Sequence, residues 1–164
     1  MDDVKKIVID FDSDTYSTGG YDPEDEWSRD STSTTWTAPS YCKIIKGDER
    51  HYVSDTELVP ASVQVGDTIF MVWVQYSTGD SFGYDSGYSH EIIGLYKDSK
   101  LANQAAEAIR EDNRDKPDYS FNDGGNQVMV PTFDGTSERP QRTGGWKGYF
   151  EGLDFVEVSS LTVR

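Results

Sequence analysis

Apolar side chains are most concentrated in residues 68–76, where they occupy both sets of alternating positions. Successive side chains of a β-strand point to opposite faces, so a strand with two apolar sets is covered on both sides. One set is Ile69, Met71 and Trp73, and the other is Phe70, Val72, Val74 and Tyr76. We therefore expect residues 68–76 to form a central strand around which the fold is organised.

Shorter runs rich in Val, Ile, Tyr, Phe and Thr predict further strands along the chain. These runs are 4–11, Ser31–Thr37, Tyr41–Ile45, 51–53, 91–96, 127–130 and 155–163. We expect Tyr41–Ile45 and 51–53 to form a hairpin across the Gly-Asp turn between them. Clustered turn residues predict loops at 115–125 and 132–145, and residues 146–153 suit a short helix.

One segment has the spacing of an amphipathic helix. Small and apolar side chains recur there on one face, and the alanines allow the helix to pack closely on a sheet. They are Leu101, Ala105, Ala108 and Ile109. Asp98 or Ser99 suits the N-cap, and the pattern continues to Glu111. Because strands outnumber helices and do not alternate regularly with them, we expect an α+β domain with a mainly antiparallel sheet and one principal helix on a face.

The chain length of 164 residues suits one domain. Two separate cores would each come from about 80 residues, near the lower limit for independent stability. We therefore expect a single domain over 1–164. Within it, residues 12–39 form a long polar and acidic excursion with few large apolar side chains. Loops of that length are usually functional or mobile.

Thirty acidic and fifteen basic residues give a formal net charge of −15 at pH 7. Binding to a nucleic acid backbone needs basic side chains, so we expect no direct nucleic-acid contact and instead a basic protein surface as partner. The longest strongly apolar run is far shorter than the ~20 residues that span a bilayer, and nothing near Met1 resembles a signal peptide. We expect a cytoplasmic protein without membrane contact, and no motif indicates a cofactor.

The densest acidic cluster lies inside the excursion and surrounds one tryptophan. Its acids are Asp22, Glu24, Asp25, Glu26 and Asp30, and the tryptophan is Trp27. This arrangement combines charges that steer association with an aromatic anchor. We expect these six residues to contact the partner.

Asp10 and Asp12 follow the first predicted strand in the order Asp-Phe-Asp, which resembles the opening motif of haloacid-dehalogenase-type phosphatases. That resemblance implies a metal-dependent phosphohydrolase that uses Asp10 and Asp12. The same chemistry needs a doubly wound α/β core, a downstream Lys and a further acidic pair, which the pattern does not predict. Asp10, Asp12 and Asp14 also repeat the spacing of a calcium loop, although Thr15 stands where that loop needs Gly. We keep both alternatives and expect no complete catalytic or metal-binding set.

A loop rich in glycine, hydroxyl groups and aromatic rings is predicted at 77–90. Backbone donors, hydroxyls and aromatic faces suit a small polar ligand such as a nucleotide. The candidate ligand-binding residues are Thr78, Asp80, Ser81, Tyr84, His90, Trp146 and Tyr149. A protein that binds or sequesters such a ligand is therefore a second alternative, of a different class.

Two segments carry a further resemblance: Tyr-Ser-Thr-Gly-Asp-Ser-Phe-Gly at 76–83 and Trp-Lys-Gly-Tyr-Phe-Glu at 146–151. With the strand and helix between them, they resemble small uncharacterised accessory proteins of bacteriophages and mobile elements. The resemblance implies an origin and assigns no catalytic residue. Some proteins of that class inhibit host defence nucleases, so it implies anti-CRISPR or anti-restriction activity by analogy of class. We expect a non-enzymatic acidic binding protein that occludes a basic surface of a host protein.

Overall fold

The structure is a computed structural model, and it describes residues 3–18, 31–46, 55–77, 88–114, 127–143, 146 and 153–164. These residues form ten strands and one helix. In chain order they are β1 (Val4–Ile9), β2 (Asp12–Thr18), β3 (Ser31–Thr37), β4 (Tyr41–Ile45), β5 (Asp55–Pro60), β6 (Thr68–Ser77), β7 (Tyr88–Tyr96), α1 (Ser99–Asn113), β8 (Gln127–Pro131), β9 (Glu138–Arg142) and β10 (Leu153–Val163).

Six strands form the main sheet, in the order β5-β1-β4-β10-β6-β7. Its pairs are antiparallel except for β4 with β10, which run parallel where Thr162 and Val163 meet Tyr41 and Cys42. Two separate two-stranded ribbons, β2–β3 and β8–β9, are also antiparallel. The predicted α+β fold with a mainly antiparallel sheet is confirmed.

The main sheet curls so strongly that its two outer strands face each other. Strands β5 and β7 stand at opposite ends of the strand order, yet His90 Nε2 on β7 lies 2.6 Å from Asp55 Oδ2 on β5. One cleft is lined by residues of both strands. The sheet therefore resembles a partly open barrel, and we call the gap between β5 and β7 the seam.

Strand β6 separates two apolar clusters, as its double alternation predicts. The inner cluster fills the curled sheet and contains Ile69, Met71 and Trp73. The outer cluster lies beneath the helix and contains Val72 and Val74. The expected cover on both faces is thus confirmed, although β6 lies next to the outer strand β7 and β10 lies nearer the middle of the sheet.

Helix α1 packs on the outer face of the sheet through small side chains. The Asp98 carboxylate is the N-cap and accepts a hydrogen bond from the Leu101 backbone N–H at 2.9 Å, which satisfies one of the free N–H groups of the first turn. The fully buried side chains are Ala102, Ala105, Ala106 and Ile109. Near its other end Arg110 donates to the Val156 carbonyl of β10 at 2.7 Å. The predicted helix is confirmed, and its predicted face in part: Ala105 and Ile109 are buried, whereas Leu101 and Ala108 are half-buried against the outer cluster, and the buried Ala102 and Ala106 were not predicted. No helix among the described residues is long and apolar enough to cross a bilayer.

Three strands were not predicted from the sequence. Strand β9 lies inside the predicted loop 132–145, because the polar run Glu-Arg-Pro-Gln-Arg pairs with β8 without an apolar alternation of its own. Its Pro140 is tolerated because a ribbon strand has an open edge. Strand β5 has one buried apolar side chain, Val59. In β2 the residues that favour strands are Thr15, Tyr16 and Thr18, and the other four are Asp and Ser.

The predicted hairpin partner of β4, residues 51–53, lies outside the described residues. Among the described residues, strand β4 pairs with β1 and β10. The predicted short helix at 146–153 also lies outside them, apart from Trp146 and from Leu153, which begins β10.

Candidate functional site: a two-stranded arm and its base

Strands β2 and β3 form a two-stranded ribbon, which we call the arm. They pair in an unbroken antiparallel register from Asp12 with Thr37 to Thr18 with Ser31. At ~3.4 Å per residue, seven residues span about 24 Å. The side chains from Asp12 to Thr15 are exposed. The arm is therefore held by its backbone ladder and by threonines that favour extended backbone, and Asp12 to Thr15 add no buried side chain.

Trp36 attaches the arm to the main sheet. Its indole Nε1 donates to the Tyr88 carbonyl at the start of β7 at 2.6 Å, and its backbone N–H donates to Gln75 Oε1 at 3.4 Å. Gln75 is 4% exposed and its Nε2 donates to Asp154 Oδ2 at 2.7 Å. Strand β3 is thus joined to three strands of the sheet, β6, β7 and β10, through polar contacts in a region of low exposure.

His90 lies between the two strands of the arm where they leave the sheet. The Phe11 ring, directly before β2, stacks on the imidazole with centroids 4.0 Å apart. The Trp36 ring of β3 contacts it at 4.3 Å with a tilt of 57°. On its other side His90 Nε2 bonds Asp55 Oδ2 across the seam at 2.6 Å. We call Phe11, Trp36, Asp55, Gln75 and His90 the arm base.

The arm base continues into the inner cluster. Phe11 meets Trp73 edge-on with centroids 5.1 Å apart, and Trp73 meets Phe155 in the same way at 5.2 Å. The Trp73 indole N–H donates to Ser159 Oγ at 3.0 Å. Edge-to-face pairs add stability beyond area burial. The base of the arm is therefore anchored to the inner cluster.

The chemistry of the arm base favours positioning. One nitrogen of His90 is engaged by Asp55, and the other, Nδ1, is buried without a hydrogen-bond partner in the described part of the chain. The ring is flanked by Phe11 and Trp36, and its side chain is 13% exposed. The arrangement instead joins the two strands of the arm to both edges of the seam.

The described structure does not gather the candidate metal ligands. Asp10 follows β1, and Asp12 and Asp14 lie on β2 with exposed side chains. Extended backbone spaces alternate residues along one face instead of converging them on a point. Among the described residues, no group of three or more His, Cys, Asp and Glu side chains lies close enough to hold a metal ion.

Only two of the candidate ligand-binding residues are among those described. Thr78, Asp80, Ser81, Tyr84 and Tyr149 lie outside them. His90 belongs to the arm base, next to the inner cluster, whereas Trp146 is buried in the outer cluster and its indole donates to the Glu91 carboxylate. His90 and Glu91 are adjacent on β7 and point to opposite faces. The structure therefore places His90 and Trp146 apart, on opposite sides of the sheet.

The six predicted partner-binding residues also lie outside the described residues. Asp22, Glu24, Asp25, Glu26, Trp27 and Asp30 fall between Thr18 and Ser31, which pair with each other at the end of the arm. The described ranges contain 16 acidic and 11 basic residues, so ten of the fifteen net negative charges belong to the other segments. Residues 19–30 contribute five acids and a single Arg. Residues 19–30 therefore connect the two strands at the end of the arm where Thr18 pairs with Ser31.

Comparison of the chain with protein-family models, with curated proteins and with solved structures gave no match. Sequence reasoning missed the arm base, except for His90. The available signal was Trp36, one large aromatic residue in an otherwise Ser- and Thr-rich strand.

Proposed function

We propose that this chain is a non-enzymatic binding protein whose arm occludes a basic surface of a partner protein. The observation that supports the proposal is the construction of the arm. A two-stranded ribbon with exposed Asp12 and Asp14 is anchored by Phe11 and Trp36, and the most acidic segment of the sequence begins and ends at its tip.

The arm and the sequence between its strands are strongly acidic. Residues 12–37 contain seven acids and one Arg, a net charge of −6. Asp12 and Asp14 belong to the arm itself, and the other five acids belong to residues 19–30. A negative charge of this size favours a basic surface, such as one that normally contacts a nucleic acid backbone.

That partner class agrees with the resemblance to accessory proteins of bacteriophages. We propose a host defence nuclease, of the CRISPR or restriction type, as the partner, met in the host cytoplasm. The acids steer association, and Trp27 supplies an apolar anchor of the kind that dominates binding energy in many interfaces.

The test compares two variants of equal charge. In the arm variant, Asp22, Glu24, Asp25, Glu26 and Asp30 become Asn or Gln. The matched control neutralises five exposed acids elsewhere: Asp3, Glu107, Glu111, Glu138 and Glu157. We expect the wild-type chain and the control to capture the same basic protein from a bacterial lysate, and the arm variant to lose it. Added salt should slow association because the Debye length falls to ~8 Å at physiological ionic strength. Equal capture by all three would contradict the proposal.

The non-enzymatic part has its own test. We expect no magnesium-dependent hydrolysis of a generic phosphate ester by the purified chain. Hydrolysis by the wild-type chain that is lost in Asp10→Asn would contradict the non-enzymatic proposal and favour the phosphohydrolase alternative.

A further inference from the structure

The arm has a strand edge that no described strand covers. Strand β2 pairs only with β3 among the described residues, and its side chains from Asp12 to Thr15 are exposed on both faces of the ribbon. The outer edge of β3 differs, because Trp36 joins it to Gln75 and to the start of β7. An unpaired strand edge presents a row of N–H and C=O groups that can pair with another chain. The outer edge of β2 is therefore an accessible pairing surface.

The register of the arm shows which backbone groups point outward. In an antiparallel pair, opposed residues that exchange backbone hydrogen bonds alternate with opposed residues whose N–H and C=O groups point away from each other. Trp36 is of the second kind, since its N–H donates to Gln75 Oε1 outside the ribbon. The residue opposed to Trp36 is Ser13. The N–H and C=O groups of Ser13 therefore point away from β3.

The next pair of this kind is Thr15 with Thr34. Side chains are closest at such non-hydrogen-bonded positions, which agrees with the distance of 3.4 Å between the Oγ1 atoms of Thr15 and Thr34. The alternation continues to Ser17, because the register is unbroken. Ser13, Thr15 and Ser17 therefore present backbone donors and acceptors along the outer edge of β2.

Two aspartates determine the charge of this edge. Asp12 and Asp14 alternate with Ser13 and Thr15, so both lie on one face of β2, and both are exposed. A strand added antiparallel to the outer edge would exchange hydrogen bonds with Ser13 and Thr15. The residues opposite Asp12 and Asp14 would then lie at non-hydrogen-bonded positions, where side chains are closest and opposite charges stabilise the pair. The edge therefore suits a strand with Lys or Arg at alternate positions.

A second copy of the chain fits this edge poorly. Pairing two β2 strands around these residues would bring Asp12 and Asp14 of one copy next to those of the other. Like charges opposite each other on neighbouring strands are destabilising, and charged side chains are a common protection of strand edges. The edge is thus protected against self-association and remains open to a basic strand.

We propose that the outer edge of β2 binds an extended basic segment of the partner protein as an added strand. This inference rests on the function proposed for the arm and specifies how the arm holds its partner. Backbone hydrogen bonds at Ser13, Thr15 and Ser17 supply affinity, and Lys or Arg side chains opposite Asp12 and Asp14 supply selectivity.

The experiment uses three end-blocked peptides that match the seven residues of β2 in length. The first alternates threonine and lysine. The second has the same sequence with N-methylated threonines, which keeps the charge and removes the N–H groups that would face β2. The third has glutamate in place of each lysine. Each peptide is titrated at low salt into the ¹⁵N-labelled full chain, and the amide signals of residues 12–18 are followed by NMR.

We expect saturable shifts with the first peptide and at least about tenfold weaker binding of the other two. The second loses backbone hydrogen bonds, and the third places like charges opposite each other. Hydrogen exchange gives a signature that charge attraction alone would not produce. The bound peptide should slow exchange of the Ser13 and Thr15 amides, and it should leave the Asp14 amide, which bonds to β3, unchanged.

Two variants of Ser13 test the backbone contact. Ser13→Pro removes an outward N–H and no hydrogen bond to β3, and proline is tolerated where a strand edge faces solvent. Ser13→Ala is the matched control, since it loses the hydroxyl and keeps the N–H. We expect Ser13→Pro to weaken binding of the first peptide by at least about fivefold, and Ser13→Ala to change it by less than about twofold. Exchange of the Asp14 amide reports whether the arm stays paired in both variants.

The inference is overturned if the first peptide gives no saturable shift, if the N-methylated peptide binds as well, or if the two Ser13 variants bind equally. Dimerisation of the chain through β2 in place of peptide binding would overturn it as well. Capture from a lysate tests the proposed function separately. If the arm variant loses its partner while no peptide pairs with β2, the proposed function stands and this inference alone fails.

Discussion

Strand β6 and the arm are both regular β-structure, but they are stabilised in different ways. Residues 71–75 of β6 are all buried, with apolar side chains on both faces. In the arm, residues 12–15 are all exposed, and cross-strand contacts such as Thr15 Oγ1 with Thr34 Oγ1 at 3.4 Å are polar. An isolated two-stranded ribbon is at best marginally stable in water. The arm therefore depends on its base, whereas the sheet depends on burial along its whole length.

The largest expected effect is a loss of stability when a large side chain is removed from the inner cluster. Trp73 is 1% exposed and contacts both Phe11 and Phe155. We expect Trp73→Ala to lower the free energy of unfolding by about 3–5 kcal/mol, measured by urea denaturation. Leu58→Ala, at an exposed apolar residue, is the control and should cost under about 1 kcal/mol. Similar losses in the two variants would mean that the sheet is not stabilised mainly by this cluster.

The next effect separates the arm from the sheet. Trp36→Ala removes the ring that contacts His90 and the indole N–H that bonds Tyr88. We expect a global loss of about 1–2 kcal/mol and a much larger local effect. Amide hydrogen exchange should accelerate in β2 and β3 first, while β6 and β10 stay protected.

Trp36→Phe is the matched control for this change. It keeps an aromatic ring against His90 but loses the indole N–H and the second ring of the indole, so it should retain more of the protection in the arm than Trp36→Ala does. Uniform acceleration of exchange across β2, β3, β6 and β10 would show that the arm and the sheet open together.

A smaller effect is pH-dependent and arises at the seam. The pKa of Glu57 is raised above its ordinary value of 4.5. At a pH between 4.5 and the raised value, the folded state therefore keeps a proton on Glu57 that the unfolded state has released. The stability of the wild-type chain therefore falls as pH rises from 4.5 through the raised value. We expect Glu57→Gln to raise Tm at pH 7 and to leave it nearly unchanged below pH 4.5. Glu138→Gln, at an exposed position of β9, is the control and should leave Tm unchanged at both pH values. An equal rise in the Tm of Glu57→Gln at pH 7 and below pH 4.5 would show that ionisation of Glu57 is not the cause.

The smallest effect tests the arm itself. Thr34→Ala removes a hydroxyl that meets Thr15 across the ribbon. Such cross-strand pairs contribute roughly 0.2–1 kcal/mol, so unfolding of the whole chain should hardly change. Exchange of the arm amides should rise slightly. A loss as large as that of Trp36→Ala would show that the strands of the arm support each other more than their base does.

The sequence predicts the elements that bury apolar side chains. The double alternation of β6 and the spaced alanines of α1 are consequences of burial, so both were predicted, with both faces of β6 and part of the buried face of α1, and Asp98 marks the start of the helix. Strands β5 and β9 were missed because backbone pairing with β1 and β8 determines them, and a polar strand carries no periodic apolar signal.

The arm base escaped prediction for a related reason. Phe11, Trp36, Asp55 and His90 come from four separate segments, and they meet only because the sheet curls and brings β5 to β7. Curling depends on the strand order of the whole sheet, which local spacing does not encode. The cleft at the seam is unpredictable for the same reason, since Glu57 and Arg139, which both line it, belong to strands that were not predicted.

The position of β10 in the strand order constrains how the chain folds. It lies between β4 and β6, pairing with β6 along most of its length and with β4 through Thr162 and Val163. The halves β5-β1-β4 and β6-β7 are therefore joined through a strand that is far from β4 along the chain, a topology of high contact order that folds slowly. Until β10 inserts, both halves expose unpaired edges at β4 and β6. Refolding is thus most vulnerable to intermolecular strand pairing just before this step, and aggregation yield should rise with protein concentration during refolding.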